Sequence, residues 1–255
     1  MLKYIEIGNY ISIPTYNLLI GVGFILGLVF FEKEILKRNI NFREASKIKT
    51  SIMLVLILGF IGAFIFDAIF KGLPLNYDIL KSHGGFTFYG GFVTGLIVLF
   101  TSFRFQKINI QNGLNLIVPL LLITHAFGRV GCFMAGCCYG KPTNSIFGVR
   151  FPVDSFPYEE YQCSLSIHPT QLYEAISLLV LFFICIKFIS FNSRLIFYLI
   201  SYGIIRFVIE YFREDNRGTI FYQNIFSPSQ IISILLILSG LFLLLKNQLW
   251  RTKTI

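Results

Sequence analysis

The chain has 255 residues, 55% of them hydrophobic, with 29 phenylalanines and a mean hydropathy of +0.70. Apolar runs this long and this numerous exclude a soluble domain and a single-anchor design, and point to an all-α polytopic integral membrane protein. The net charge of +9 is read as positive-inside loops and attraction to anionic lipid, not as a nucleic-acid surface.

Seven runs are predicted to give about seven transmembrane helices in one membrane domain, 1–255: Tyr16–Phe31, Ser51–Phe70, Phe86–Phe103, Leu114–Gly131, Gln171–Phe188, Leu195–Tyr211 and Ser229–Leu245. The first run follows Glu6 and has no small-residue cleavage site, so no cleavable signal peptide is expected. The loop after it carries Lys33, Lys37, Arg38, Arg43, Lys47 and Lys49; later loops on the same side carry Arg104, Lys107, Lys187 and Arg194, and the tail Lys246, Arg251 and Lys253. The alternate loops are poorer in lysine and arginine. The richer set is expected to face the cytoplasm, with the N-terminus outside. The segment from about 132 to 170, with Pro142, Pro152 and Pro157, then forms a small extracytoplasmic head.

The chemistry concentrates in His125-Ala-Phe-Gly-Arg129-Val-Gly-Cys132-Phe-Met-Ala-Gly-Cys137-Cys138-Tyr-Gly140-Lys141. An arginine at a helix centre costs about 2.5–3.5 kcal/mol on insertion scales, so it needs a partner or a purpose. Gly128 and Gly131 beside Arg129 let backbone or ligand approach closely. Three further clusters fall on the same expected outer side: Tyr16; His83-Gly-Gly-Phe-Thr-Phe-Tyr89-Gly90-Gly91; and His168-Pro-Thr-Gln-Leu-Tyr-Glu174 with Tyr202, Arg206, Glu210 and Arg213. Arg206 lies four residues from both Tyr202 and Glu210, on one helix face.

Arg129 and Arg206 are the two arginines inside spans, and two guanidiniums at one depth can clamp a phosphate. Glu174 and Glu210 can orient them. Plain structural readings stand beside these. Arg206 with Glu210 can be a packing pair, the glycines close helix contacts, and His125 a buried hydrogen-bonding histidine. The five cysteines are odd in number and lack paired CxxC motifs, so neither a full disulfide framework nor a zinc site is expected. A bridge from Cys137 or Cys138 to Cys163 stays open.

These motifs resemble the bacterial prolipoprotein diacylglyceryl transferases. The likeness covers nearly the whole chain: Tyr16, the Gly-Gly-Phe-Thr-Phe-Tyr89-Gly90-Gly91 segment, Gly128-Arg129-Val130-Gly131, the His168–Glu174 run, and Tyr202 through Arg206, Glu210 and Arg213. The resemblance implies transfer of diacylglyceryl from phosphatidylglycerol to a lipobox cysteine of preprolipoproteins, whose signal peptides are then partners along with membrane lipids. It implies the bacterial cytoplasmic membrane, no cofactor and no metal. It places Arg129, Arg206, Tyr89 and Glu174 in catalysis. It places Tyr16, His83, Gly90, Gly91, Gly128, Gly131, Cys132, Cys137, Gly140, Tyr202, Glu210 and Arg213 at the substrate.

The chain also departs from that pattern. Most members have histidine at the position of Tyr89, asparagine at Cys132 and glutamate at Cys137. Tyrosine, with a pKa near 10, is a poor base at neutral pH, so His83, His125 or a cysteine thiolate are candidates in its place. The alternatives are a related transferase with a different acceptor, and a lipid-binding or transport protein. A transporter should show paired broken helices in its two halves, whereas the polar residues here gather on one face.

Overall fold

The computed structural model describes residues 3–7, 11–70, 88–153, 155–162, 164–214 and 226–252. Each apolar run falls on a helix: α1 (Thr15–Lys37), α2 (Phe42–Phe70), α3 (Phe88–Phe105), α4 (Ile110–Ala135), α6 (Thr170–Lys187), α7 (Arg194–Glu210) and α8 (Pro228–Thr252); α5 (Phe156–Tyr161) is a single short turn of helix between α4 and α6. Among the described residues, five stretches are long and apolar enough to cross a membrane: Phe42–Ile69, Ile110–Ala135, Thr170–Lys187, Phe191–Glu210 and Pro228–Asn247. Gly90–Phe105 is a shorter apolar helix. The protein is a polytopic helical membrane protein.

The helices outrun the apolar stretches that announce them. α1 continues past Phe31 to Lys37 because Glu32, Lys33, Glu34 and Lys37 are straight-chain helix formers. Arg38 closes on Glu34 at 2.9 Å one turn back. α2 starts nine residues before Ser51, where the Asn41 side chain accepts the Arg43 backbone N–H at 3.0 Å. α4 passes through Pro119 and Arg129 and ends only at Ala135.

Two compact units make up the chain: Met1–Lys33 with Asn115–Ile255, and Glu34–Leu114. In the second unit α2 and α3 meet along small residues. A Cβ on Gly62 would lie 2.2 Å from Thr94 Oγ1, and one on Gly90 2.4 Å from Phe66 Cβ. Bare backbones pack there, as membrane helices allow. At the other end of this contact Ser51, Ser102 and Gln106 hydrogen-bond one another at 2.7–3.1 Å.

The first unit holds the core of α4, α6 and α7, with Val118, Leu122, Ala126, Leu178, Phe182, Cys185 and Tyr202 buried together. The α7–α8 contact passes Gly203 and Gly240, where added Cβ atoms would meet Ile237 and Ile200 at 2.7 and 2.6 Å. α8 opens on Ser227-Pro228-Ser229-Gln230. Gln230 N donates to Ser227 Oγ at 3.2 Å and Ser227 N to Gln230 Oε1 at 3.0 Å. This is a reciprocal capping box, with proline at the first helical position.

The segment between α4 and α6 has structure of its own. β3 (Val149–Arg150) pairs antiparallel with β4 (Ser166–Ile167), over Tyr139, Phe151 and Ile167. Isolated bridges join Pro142 to Ile167 and Gly140 to Arg213. Near the N-terminus β1 (Tyr4–Ile7) pairs antiparallel with β2 (Ile11–Pro14).

Candidate active site

Glu174 is the centre of the polar cluster in the first unit. It sits in the second turn of α6 and is 1% exposed. Its Oε2 lies 3.1 Å from Arg129 Nε and its Oε1 3.6 Å from His125 Nε2, both on α4 and one turn apart. Tyr202 of α7 donates its hydroxyl to Oε1 at 2.9 Å. Arg206 adds to the positive field at this carboxylate. The Tyr202 ring meets His125 edge-on at 5.2 Å and stacks on Tyr198 at 5.5 Å. One buried carboxylate thus ties three helices, and the charges that would be costly singly offset one another.

Glu210 is the second centre. Arg206 Nη2 reaches its Oε2 at 2.7 Å, and Arg213 Nε lies 3.9 Å from the same oxygen. Ser227 donates to Glu210 Oε1 at 2.8 Å, and Arg206 Nη2 donates to Ser229 Oγ at 2.8 Å. Arg206 Nη1 is buried with no hydrogen-bond partner among the described residues. Arg129 Nε forms an ion pair with Glu174 Oε2 at 3.1 Å but, like Arg206 Nη1, has no hydrogen-bond partner among the described residues. Two guanidiniums are therefore each fixed by a carboxylate while keeping donors in hand.

The backbone around them is held by close contacts. A Cβ on Gly131 would sit 2.9 Å from Tyr16 Cδ2, so the start of α1 lies directly on the end of α4. A Cβ on Gly128 would make an ordinary contact with Ile20 Cγ1 at 3.6 Å. A Cβ on Gly140 would fall 2.3 Å from Phe212 O and 2.8 Å from His168 Cβ. Gly140 N donates to His168 O at 3.0 Å, and Lys141 N to Phe212 O at 2.8 Å. His168 Nδ1 is 3.0 Å from the Tyr173 hydroxyl. The His168–Glu174 run therefore anchors the loop with its first residues and presents Glu174 one turn later.

Past α4 the chain turns through Gly136 at φ +75 and Cys138 at φ +63. Cysteine is uncommon in this region. The turn brings the sulfurs of Cys132, Cys137 and Cys138 within 4.8 Å of one another. No disulfide involves these three or Cys185, and Cys163 lies outside the described residues. Gln171 Nε2 donates to Cys137 O at 2.7 Å, and Thr170 Oγ1 to Cys138 O at 2.8 Å. Hydrogen bonding to Cys132 and Cys138, with burial, pushes the Cys137 thiol up, which counts against an unassisted thiolate base at this position.

Of the candidates named from sequence, the first unit brings together Arg129, Glu174, Tyr202, Arg206, Glu210 and Arg213, with Tyr16, Gly128, Gly131, Cys132, Cys137 and Gly140 in the adjoining turns. Gly90 and Gly91 belong to the second unit, where they pack on α2. Tyr89 is the second residue of α3; its side chain, and His83 altogether, lie outside the described residues. Sequence reasoning missed Ser227 and Ser229. Their signal was present in the Ser-x-x-Gln pattern, but it reads as a helix start and not as a partner for an arginine–carboxylate pair.

A model of the prolipoprotein diacylglyceryl transferase family matches residues 3–246. The phosphatidylglycerol–prolipoprotein diacylglyceryl transferase of Clostridium tetani (strain Massachusetts / E88) is 32% identical over 243 residues, covering 91% of this chain and 92% of the relative. A protein of Clostridium perfringens (strain 13 / Type A) with the same name, numbered 2, is 31% identical over 247 residues, covering 94% and 93%. The Rickettsia bellii (strain OSU 85-389) transferase is 29% identical over 256 residues, covering 93% and 92%. The chain belongs to the prolipoprotein diacylglyceryl transferase family.

Proposed function

We propose that this protein transfers the diacylglyceryl group of phosphatidylglycerol to the thiol of a lipobox cysteine in a preprolipoprotein. The acceptor sulfur attacks the glyceryl carbon bound to phosphate, a C–S bond forms, and the C–O bond breaks with its electron pair going to the phosphate oxygen. Glycerol phosphate leaves and carries the balance of the thiol proton. The nucleophile belongs to the substrate, so the enzyme's task is to hold the phosphate, stabilise its growing charge and favour the thiolate.

One observation carries this reading. Two buried guanidiniums are each fixed by a carboxylate while retaining donors, with Arg206 Nη1 buried and without a partner among the described residues. Such donors suit phosphate oxygens. Glu174 and Glu210 set their orientation, with Tyr16, Gly128 and Gly131 in the adjoining turns and Arg213 beside Glu210. The reaction belongs to the bacterial cytoplasmic membrane, with the site on the outer side, as the loop charges suggest. The test is transfer of label from phosphatidylglycerol to a synthetic lipobox peptide by the purified protein. Thioether formation on the cysteine peptide and none on its serine counterpart is the expected result; no transfer to either would remove this reading.

A further inference from the structure

We propose that Cys132, Cys137 and Cys138 form a binding site for a divalent thiophilic ion of the Zn2+ type, whose fourth coordination position takes the acceptor thiol. The sulfurs come from the last turn of α4 and the turn after it, and lie within 4.8 Å of one another. Zn–S bonds of ~2.3 Å place sulfurs about 3.8–4.0 Å apart in tetrahedral or trigonal geometry. Closure therefore needs shifts below about 1 Å. The C-x4-C-C spacing would scatter three side chains on a continuous helix. Here the left-handed residues Gly136 and Cys138 reverse the chain and make them converge.

The site is also held from outside. Gln171 and Thr170, at the start of α6, hydrogen-bond the carbonyls of Cys137 and Cys138. Gln171 is 1% exposed, and its Oε1 has no hydrogen-bond partner among the described residues. That oxygen is an unused acceptor on the residue that holds the Cys137 carbonyl. Soft thiolates select such ions, and three protein ligands with one open position is the arrangement of catalytic zinc.

Binding converts three thiols and one Zn2+ into a tris-thiolate complex of charge −1 and releases three protons. Arg129 lies one turn before Cys132 on the same helix and interacts electrostatically with both Cys132 and Cys138. Already paired with Glu174, it moderates that charge without cancelling it. An incoming lipobox thiol displaces water and loses its proton on coordination. Its sulfur then supplies the electron pair that forms the C–S bond, the C–O pair leaves with glycerol phosphate, and the resulting thioether, a weaker ligand, departs. This role rests on the transferase reading above; the metal site itself does not.

The test begins with binding. Purified protein, stripped with chelator and reduced, is titrated with Zn2+ against a chromophoric chelator and with Cd2+ for thiolate charge-transfer absorption. One ion per chain is expected, with Cys132, Cys137 and Cys138 protected from alkylation in the unmodified protein. Cys132→Ser and Cys138→Ser should each weaken binding by more than about a hundredfold, beyond the usual loss for outer-shell changes; Cys185→Ala should not. A cysteine lipobox peptide should raise the Cd2+ absorption by about one third, the share of a fourth thiolate among three, and a serine peptide should not. Stripping should abolish transfer, and Zn2+ should restore it. Absence of stoichiometric uptake, uptake unchanged in both serine variants, or a quantitative disulfide within the trio would overturn the site. Undiminished transfer by stripped protein would overturn its role. Metal and peptide binding without transfer in any condition would instead count against the transferase reading.

Discussion

Arg129 Nε and Glu174 Oε2 meet at 3.1 Å across α4 and α6, 45 residues apart in the chain. The pair holds the guanidinium beside a buried carboxylate, and the proposed reaction puts the lipid phosphate on it. In the transition state that phosphate gains charge, so the donor should contribute more there than in the bound lipid. Loss of one preorganised donor elsewhere costs roughly 2.7–4 kcal/mol, about a hundred- to thousandfold in rate. Arg129→Ala should insert and fold but lose turnover on that scale, with lipid affinity less affected. Arg129→Lys keeps charge without the planar fork and should fall short of full activity. Near-normal turnover in well-folded Arg129→Ala would return this arginine to a structural role.

Glu174 is the counter-ion of Arg129. Glu174→Gln keeps the shape and removes the charge, leaving Arg129 buried without its counter-ion. Breaking a buried pair in this way costs about 3–5 kcal/mol. Tyr202→Phe removes only one hydrogen bond, and inside membranes such bonds are worth at most about 1.7 kcal/mol. Detergent or urea unfolding should rank the variants in that order, and equal stabilities would show that the carboxylate does not organise the cluster.

Gly140 offers a test of fold against binding. A methyl group there would strike Phe212 O at 2.3 Å, and backbone cannot yield as a flexible side chain can. Gly140→Ala should destabilise by about 1–3 kcal/mol, the usual range for overpacking. Yield and melting temperature should fall with activity. A stable variant with selective loss of substrate affinity would place Gly140 at the substrate instead.

Topology follows from the loop charges. Tyr4 should lie outside, and the Lys33–Lys49 loop and the residues after Leu245 in the cytoplasm. A reporter fused after Leu245 that is active only in the extracytoplasmic compartment would reverse the assignment.

The long helices were legible because each carries an apolar run, and their ends were not, because Glu32 to Lys37 and Arg43 to Lys49 are rich in charge yet still helical. The Arg206–Glu210 pair was legible because four residues on one helix bring side chains together. The Arg129–Glu174 pair depends on how α4 and α6 pack, which no local spacing reveals. The closeness of the three cysteine sulfurs was hidden for a related reason. Their spacing would spread them around a continuous helix, and two left-handed residues end it. Ser229 shows the same limit, since nothing in a helix start tells that its hydroxyl accepts from Arg206.

The hydroxyl of Ser227 both caps α8 and donates to Glu210, while Ser229 beside it receives Arg206. This gives biosynthesis an order. A growing chain that has delivered α7 but not residue 227 holds an arginine–carboxylate pair whose remaining partners have yet to leave the ribosome. The cluster is finished only when the last helix inserts, so an early stop codon before Ser227 removes two of its hydroxyl partners even though its charged members have already been made.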